Sequence, residues 1–577
     1  MLSRITLLYI VCQSWALLNL FSSPLLAQTL FPDIIRPNRP QPQKIPSPQP
    51  LPPPEDLLRP PTTPANPQPV PGKVPERITI KKFEVFGNTV LDQQEIDKIL
   101  APYLERSLSF AELFQIRAAI TQLYVDKGYI TSGALIPPQT IKNGYVRIAI
   151  VEGSLEAINI TGTRRLHRSY ISDRLPQSQP LNQKRLLQAL QLLQLNPLIQ
   201  NISADLATGS RPDRSVLNIK VREAKTFNTQ LLADNGRSPS VGSFRRRVGF
   251  TEANLLGLGD SLSLAYINTD GSNGIDGSYT LPINSRNGTA SFLAGFNESD
   301  VIEEPFNTLD ILGNSQYYEL TLRQPLLQTP NEEFTLGITA ARLESEISSD
   351  VLEEIGYPPF LLSPGADEAG RTKVSAIRFF QEWSNRNSRQ VIAARSQFNL
   401  GVGAFDATIN NDEPDSRFFS WQGQAQWVRE LADDTLFLVR TNMQLADRAL
   451  VPLEQFGLGG QESVRGYRQD ALLADNGVLA SAEFRLPIYR NREQKLLLQL
   501  TPFIDFGTSW DSGKRRFNDL DDSYSDTLAS VGLGLRFELS DRLTARFDWG
   551  IPLIDTDTKE RTWQEKGLYF SINYNPF

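Results

Sequence analysis

From residue 226 to the end of the chain, apolar and polar side chains alternate with a period of two. Leu543, Ala545, Phe547 and Trp549 are separated by Thr544, Arg546 and Asp548. Val531, Leu533, Leu535 and Phe537 alternate with Gly532, Gly534, Arg536 and Glu538. Val478, Ala480, Ala482 and Phe484 alternate with Leu479, Ser481, Glu483 and Arg485. Strands whose successive side chains point to opposite faces give this pattern, with one face apolar and the other charged. A soluble sandwich with one wet face would give it too. The run, however, holds about sixteen segments of roughly ten residues, an even number and the length a tilted strand needs to cross a bilayer.

The connections supply an independent criterion. Those at 257–260, 284–287, 385–389, 432–434 and 540–542 are tight, whereas 300–315, 345–372, 402–416, 447–476 and 509–525 are mostly long. Short and long alternate in parity, as periplasmic turns and external loops do in outer-membrane barrels. A soluble sandwich has no reason for such parity. The fold class expected for 226–577 is an all-β, 16-stranded transmembrane antiparallel barrel in the cell outer membrane, both ends of its wall facing the periplasm.

Upstream, the text repeats itself. Phe83-Glu84-Val85-Phe86-Gly87 is followed by helical text at 92–104 and Phe110–Asp126, then by strand-like 133–136 and Tyr145–Val151. About 75 residues after the first pass, Ile158-Asn159-Ile160-Thr161-Gly162 opens a second, with helical text at 167–175 and 182–195 and strands at 199–206 and 216–222. Each pass reads strand–helix–helix–strand–strand, which predicts two copies of one small α/β module, at 76–152 and 153–225. Between Pro32 and Pro75 there are 17 prolines. Residues 28–75 therefore read as an extended spacer, with a ligand for a proline-reading domain as the other reading. Only 30–36 and 55–59 carry helical text there. Residues 1–27 read as a signal peptide: Arg4, a largely apolar stretch from Ile5 to Leu20, then Ala27 as the cleavage point. An uncleaved anchor is the alternative.

Composition narrows the function. The 577 residues carry a formal charge of −7, scattered rather than blocked, so no basic stripe marks a nucleic-acid surface. Cys12 is the sole cysteine and lies in the leader, so no disulfide framework or Cys-based metal site is expected. With His167 as the sole histidine, neither a histidine-rich zinc site nor a Ser-His-Asp triad can be assembled. Residues 507–514 have phosphate-loop character, but the spacing to Gly513 is too long and Arg515 replaces the required Ser or Thr. No enzyme activity, cofactor, metal or nucleotide is expected. A mean hydropathy of −0.29 suits a barrel, whose apolar band alternates with polar residues.

Several motifs carry a family resemblance. The two modules resemble POTRA domains in their element order and Gly-ended first strand. Gly128-Tyr129, Ile136-Pro137-Pro138-Gln139 and Val151-Glu152-Gly153 resemble the first POTRA domain of two-partner secretion (type V secretion) outer-membrane transporters, the haemolysin activation–secretion family. In Leu458-Gly459-Gly460-Gln461-Glu462-Ser463-Val464-Arg465-Gly466-Tyr467, the last four residues resemble the Val-Arg-Gly-Tyr/Phe tip of the sixth outer loop of POTRA-barrel transporters. Phe503-Ile504-Asp505-Phe506-Gly507 resembles the Phe-x-Asp-x-Gly strand that receives this tip. The resemblance covers about residues 76 to 577.

It implies that loop 447–476 folds into the lumen and that Arg465 pairs with Asp505. It also implies secretion of a large haemolysin- or adhesin-like β-helical exoprotein, docked on the POTRA domains in extended form. Export would draw its energy from cargo folding outside the cell. The protein is expected to act as a monomer among outer-membrane lipids. The family's N-terminal plug helix has no clear counterpart here.

On the residues alone, Asp505 falls on the lumen face of the thirteenth segment with Gln499, Thr501, Phe503 and Gly507. The other lumen charges are Glu483, Arg485, Arg536, Glu538, Arg546 and Asp548. A bidentate partner for Arg465 and one more wet lumen charge are both open at this point. So are two roles for the strands that end the modules, such as Val146–Val151 and Val216–Arg222, as docking edges or as a rigid scaffold. An assembly factor that inserts other barrels through the seam between first and last strand is the alternative function, and a passive porin is a third.

Overall fold

The computed structural model describes residues 57–59, 77–141, 143–177, 179–211, 213–512, 527–556 and 561–576. The expected signal peptide, most of the proline-rich segment with its helical text at 30–36, and residues 513–515 lie outside them. Two compact units are present, one built on Leu51–Lys225 and the other on Thr226–Leu255 with Gly259–Phe577.

In the first unit, β1 (Leu58–Arg59) precedes the first module: β2 (Ile78–Ile80), β3 (Lys82–Phe86), α1 (Gln93–Leu100), β4 (Arg106–Leu108), α2 (Phe110–Asp126), β5 (Gly133–Leu135) and β6 (Tyr145–Val151). The second module has β7 (Ser154–Thr161), α3 (Arg168–Ser172), α4 (Gln183–Gln194), β8 (Ile199–Thr208) and β9 (Arg214–Glu223). The sheets run β3-β6-β5 and β1-β8-β9-β7, with β3–β6 and β7–β9 parallel, so 146–151 and 216–222 are interior strands rather than the docking edges expected, because each is paired on both sides. Helix α2 starts at a capping box, where Ser109 and Glu112 satisfy each other's free N–H groups. Its buried face, Ile116, Ile120 and Tyr124, packs with Ile96 and Leu100 on Val146, Ile148 and Ile150.

The repeat extends to single carboxylates. Glu152, just after β6, accepts from the Thr89 N–H at 2.7 Å and from the Tyr124 hydroxyl. Glu223, at the end of β9, accepts from the N–H groups of Arg164, Arg165 and Leu166 at 2.6, 3.1 and 3.0 Å. Each closes the turn after a Gly-ended first strand. Burial and the neighbouring Glu152 charge push the Tyr124 phenol above its usual range. One expectation is corrected here: of the helical text at 55–59, Leu58 and Arg59 form strand β1. Pairing with β8 overrides local propensity.

The second unit is a closed barrel of sixteen strands among the described residues. Its wall begins with β10 (Phe227–Asp234), β11 (Arg245–Glu252), β12 (Ser261–Asn268), β13 (Ser272–Pro282), β14 (Thr289–Asp300) and β15 (Ile311–Gln328). It continues through β16 (Glu332–Ser349), β17 (Arg371–Arg386), β18 (Gln390–Val402), β19 (Phe418–Ala432) and β20 (Thr435–Ala446). A small loop hairpin, β21 (Phe456–Leu458) and β22 (Leu472–Ala474), stands apart from the wall. The wall closes with β23 (Asn476–Asn491), β24 (Leu496–Trp510), β25 (Thr527–Leu539), β26 (Leu543–Pro552) and β27 (Leu568–Tyr574). Outward side chains such as Phe547 (42 % exposed) and Trp549 (51 %) form the surface that meets lipid, while Asp548 between them is fully buried inside. Among the described residues, no helix is long and apolar enough to cross a membrane; strands do the crossing.

Two details differ from the alternation-based reading. β15 and β16 are each 18 residues long, so parts of the expected loops 300–315 and 345–372 are strand. Their ladder continues past the apolar band, where polar pairs extend it. The connection between β12 and β13 is short although its neighbours on that side are long.

Candidate functional site

The connection from β20 to β23 returns into the barrel. Hairpin β21–β22 pairs Phe456 with Ala474 and Leu458 with Leu472, presenting 459–471 as its tip. Gly466 takes φ +104°, a backbone conformation that favours glycine. A Cβ there would also lie 3.2 Å from the Pro552 nitrogen, so the tip rides directly on the β26 backbone. Leu458, Val464 and Tyr467 form a buried apolar patch with Leu479 and Leu528 of the wall. Gly507 makes room for it: a Cβ at that position would meet Leu458 at 2.8 Å and Val464 at 3.0 Å.

At the tip, Arg465 and Asp505 both have no exposed surface. The guanidinium donates from Nε to Asp505 Oδ2 at 2.7 Å and from Nη2 to Oδ1 at 2.9 Å, while the Arg465 backbone N–H reaches Oδ2 at 3.2 Å. Its Nη1 donates to Glu483 at 2.8 Å and lies 3.7 Å from Asp548. The Phe503 ring sits under the guanidinium carbon at 3.3 Å to its centroid, a cation–π contact. Ser481 donates to Asp505 at 2.6 Å, and Arg546 contacts Asp548 at 2.6 Å and Glu483 at 3.6 Å. With Arg485 bonded to Glu483 at 3.0 Å, three cations face three carboxylates. A charge this deep is tolerable because it is paired and hydrogen-bonded on every side; removing one partner of such a pair typically costs about 3–5 kcal/mol.

Every member of the two motifs is therefore in one place. Val464, Arg465, Gly466 and Tyr467 form the tip, while Phe503, Asp505 and Gly507 form the wall beneath it. Glu483 touches the tip directly, and Arg485 joins through Glu483. Arg536 and Glu538 pair with each other at 2.5 Å along β25. The wet-charge reading of Asp505 does not survive, since the loop covers it completely.

Other anchors were not singled out from sequence. Tyr569 on β27 accepts from the Gly466 N–H at 3.0 Å and donates to the Tyr467 carbonyl. The Tyr467 hydroxyl lies 2.8 Å from the Ala529 carbonyl and 2.9 Å from that of Ile554, and donates its single proton to one of them. At the loop's base, Glu454 is held bidentately by Arg378 of β17 at 2.7 and 3.2 Å. Arg468 reaches Glu303 at 2.8 Å and Glu565 at 3.4 Å, two other outer connections. Inward parity was the available signal for Tyr569 and Arg378; nothing local marks their partners. Among the described residues, no group of His, Cys, Asp and Glu could hold a metal ion.

A closed barrel that follows two α/β modules in the sequence, with a loop tip ion-paired to its inner wall, defines an outer-membrane transporter of the POTRA-barrel class. The chain belongs to the Omp85 superfamily: residues 254–575 match its domain, and residues 78–153 match the ShlB-type POTRA domain. That module places it with the outer-membrane transporters of two-partner secretion. Among curated proteins, it is 24 % identical over 517 residues to the heme/hemopexin transporter protein HuxB of Haemophilus influenzae (strain 86-028NP), covering 84 % of this chain and 86 % of that one. It is 23 % identical over 474 residues to the outer membrane transporter CdiB of Dickeya dadantii (strain 3937), covering 79 % and 80 %. Among solved structures, CdiB from Escherichia coli superposes with a TM-score of 0.65 at 20 % identity, over 89 % of this chain and 93 % of that one. BamA from Haemophilus ducreyi lacking POTRA domains 1–3 gives 0.52 at 15 % identity, over 86 % and 100 %.

Proposed function

We propose that this protein captures a partner exoprotein in the periplasm, in extended form on the edges of its POTRA-type sheets, and passes it outward through the barrel lumen as a single monomeric pore. The tip of loop 447–475 acts as the latch. The observation that carries this reading is the buried ion pair between Arg465 and Asp505, which fixes a long outer loop across the path inside the barrel. A passive porin has no use for such a latch or for sheet modules. Relatives named as hemolysin and heme/hemopexin transporters support a secreted protein cargo, and the ShlB-type first module favours secretion over barrel insertion.

The test is secretion by Arg465→Ala and Asp505→Ala. Each leaves a buried charge without its partner, a loss of about 3–5 kcal/mol at the latch. Both variants are expected to insert as folded barrels yet secrete far less exoprotein into the medium than the wild type. Normal secretion by both would remove the pair from the mechanism.

A further inference from the structure

Strand β1 sits where an incoming strand would sit. The second module's sheet runs β1-β8-β9-β7, so without β1 the whole outer edge of β8 would present unpaired N–H and C=O groups. Such an edge is a template for an added extended segment. Here the template is occupied by the chain itself: Leu58 pairs with Ala204 and Arg59 with Asp205, in parallel. Leu57 and Leu58 are 2 % and 4 % exposed, so the occupant is buried as well as paired.

The fit is deliberately short. β8 offers ten residues, Ile199–Thr208, and β1 covers two. In the sequence Pro60-Pro61 follows β1 directly, and proline has no N–H to donate to a ladder, while Pro52-Pro53-Pro54 lies three residues before it. A proline-free segment bearing apolar residues could pair along far more of β8 and bury as much apolar surface. It would have to outcompete a strand that is tethered, and therefore always at high local concentration.

We propose that β1, Leu58–Arg59, is a placeholder strand, held on the β8 edge until an extended, apolar, proline-free segment of the exoprotein displaces it. This rests on the reading of the protein as an exporter that docks cargo on its sheet edges. It adds that the docking edge is self-occupied at rest and that displacement of β1 is the step by which cargo is accepted.

The test uses Leu58→Cys with Ala204→Cys in the full-length protein. Cys12 is the sole cysteine and lies in the expected leader, so the new pair should have no competing thiol in the mature chain. Neighbouring strands hold Cα atoms within the range a disulfide spans. Two readouts apply: secreted protein in the culture medium against a deletion strain, and binding of a fluorescent heptapeptide, Thr-Asp-Leu-Leu-Arg-Val-Thr, to the purified protein in detergent. The oxidised pair is expected to block both, and reductant to restore both. In Leu57→Ser with Leu58→Ser, the freed edge is expected to bind the peptide about tenfold more tightly than wild type, as removal of a competing closed state requires.

Secretion and peptide binding unchanged in the oxidised pair would overturn the proposal. So would failure of the disulfide to form, or no gain in peptide binding by the serine variant. If Arg465→Ala and Asp505→Ala abolish secretion while the oxidised pair does not, the placeholder fails and the exporter stands. If the deletion strain secretes as much exoprotein as the wild type, the exporter reading itself fails.

Discussion

At the scale of single residues, the site is a matter of paired charge that is fully buried. Arg465 is acceptable at zero exposure because Asp505, Glu483 and Asp548 surround it and Arg485 and Arg546 restore the balance. Sequence made Arg465 and Asp505 legible through the motifs and through strand parity, which puts Asp505 on the lumen face. Parity also placed Glu483 and Asp548 inside, but it could not say that they face the loop. Tyr569 shows why. Its partners Gly466 and Tyr467 lie more than a hundred positions away, and only the closed barrel brings them together. Tyr569→Phe removes both hydrogen bonds and leaves a buried N–H unsatisfied, a cost of about 1–3 kcal/mol. In planar bilayers, this variant is expected to open more often than the wild type while folding normally. An unchanged open frequency would show that the hydroxyl does not hold the tip.

At the scale of elements, the two-residue period indicated about sixteen wall strands but not their ends. β15 and β16 run to 18 residues because cross-strand polar pairs continue the ladder where apolar alternation has ended. The module helices were more legible, since caps such as Ser109 and Asn182 mark where they start. Short β1 was not, since a leucine pair beside prolines says nothing about a distant sheet edge.

The wall itself closes weakly: β10 and β27 share four residue pairs, Leu231 with Tyr574 through Asp234 with Ser571, whereas β10 and β11 share eight. A barrel-inserting factor would use that seam, and a lumenal exporter would not. A disulfide between Leu232→Cys and Asn573→Cys, which face each other across the seam, is therefore expected to leave secretion unchanged. Loss of secretion that reductant reverses would favour the seam. In the first module, Glu152→Ala should lower its stability by about 1–3 kcal/mol, because the Thr89 N–H loses a charged acceptor; denaturant unfolding of the purified protein measures this.

At the scale of the whole molecule, the barrel follows from an even number of alternating segments and from loops whose lengths alternate in parity. Apart from loop 447–476, whose entry into the lumen the resemblance implied, what those loops do was not readable. The outer connections pack into one apolar cluster, in which Leu450, Val451 and Leu453 meet Phe306, Ile347 and Val374. These contacts join segments far apart in sequence and depend on closure of the wall. The central claim is that cargo travels through the interior once the tip yields. It is tested most directly by stalling an exoprotein in transit with a folded fusion and placing a photoreactive residue at single wall positions. Cross-links to cargo are expected from Gln499 and Thr501, which face inward on β24, and not from Leu533 and Phe547, which face lipid. Cargo attached to the outward positions or to the β10–β27 seam, with none at Gln499 or Thr501, would contradict it.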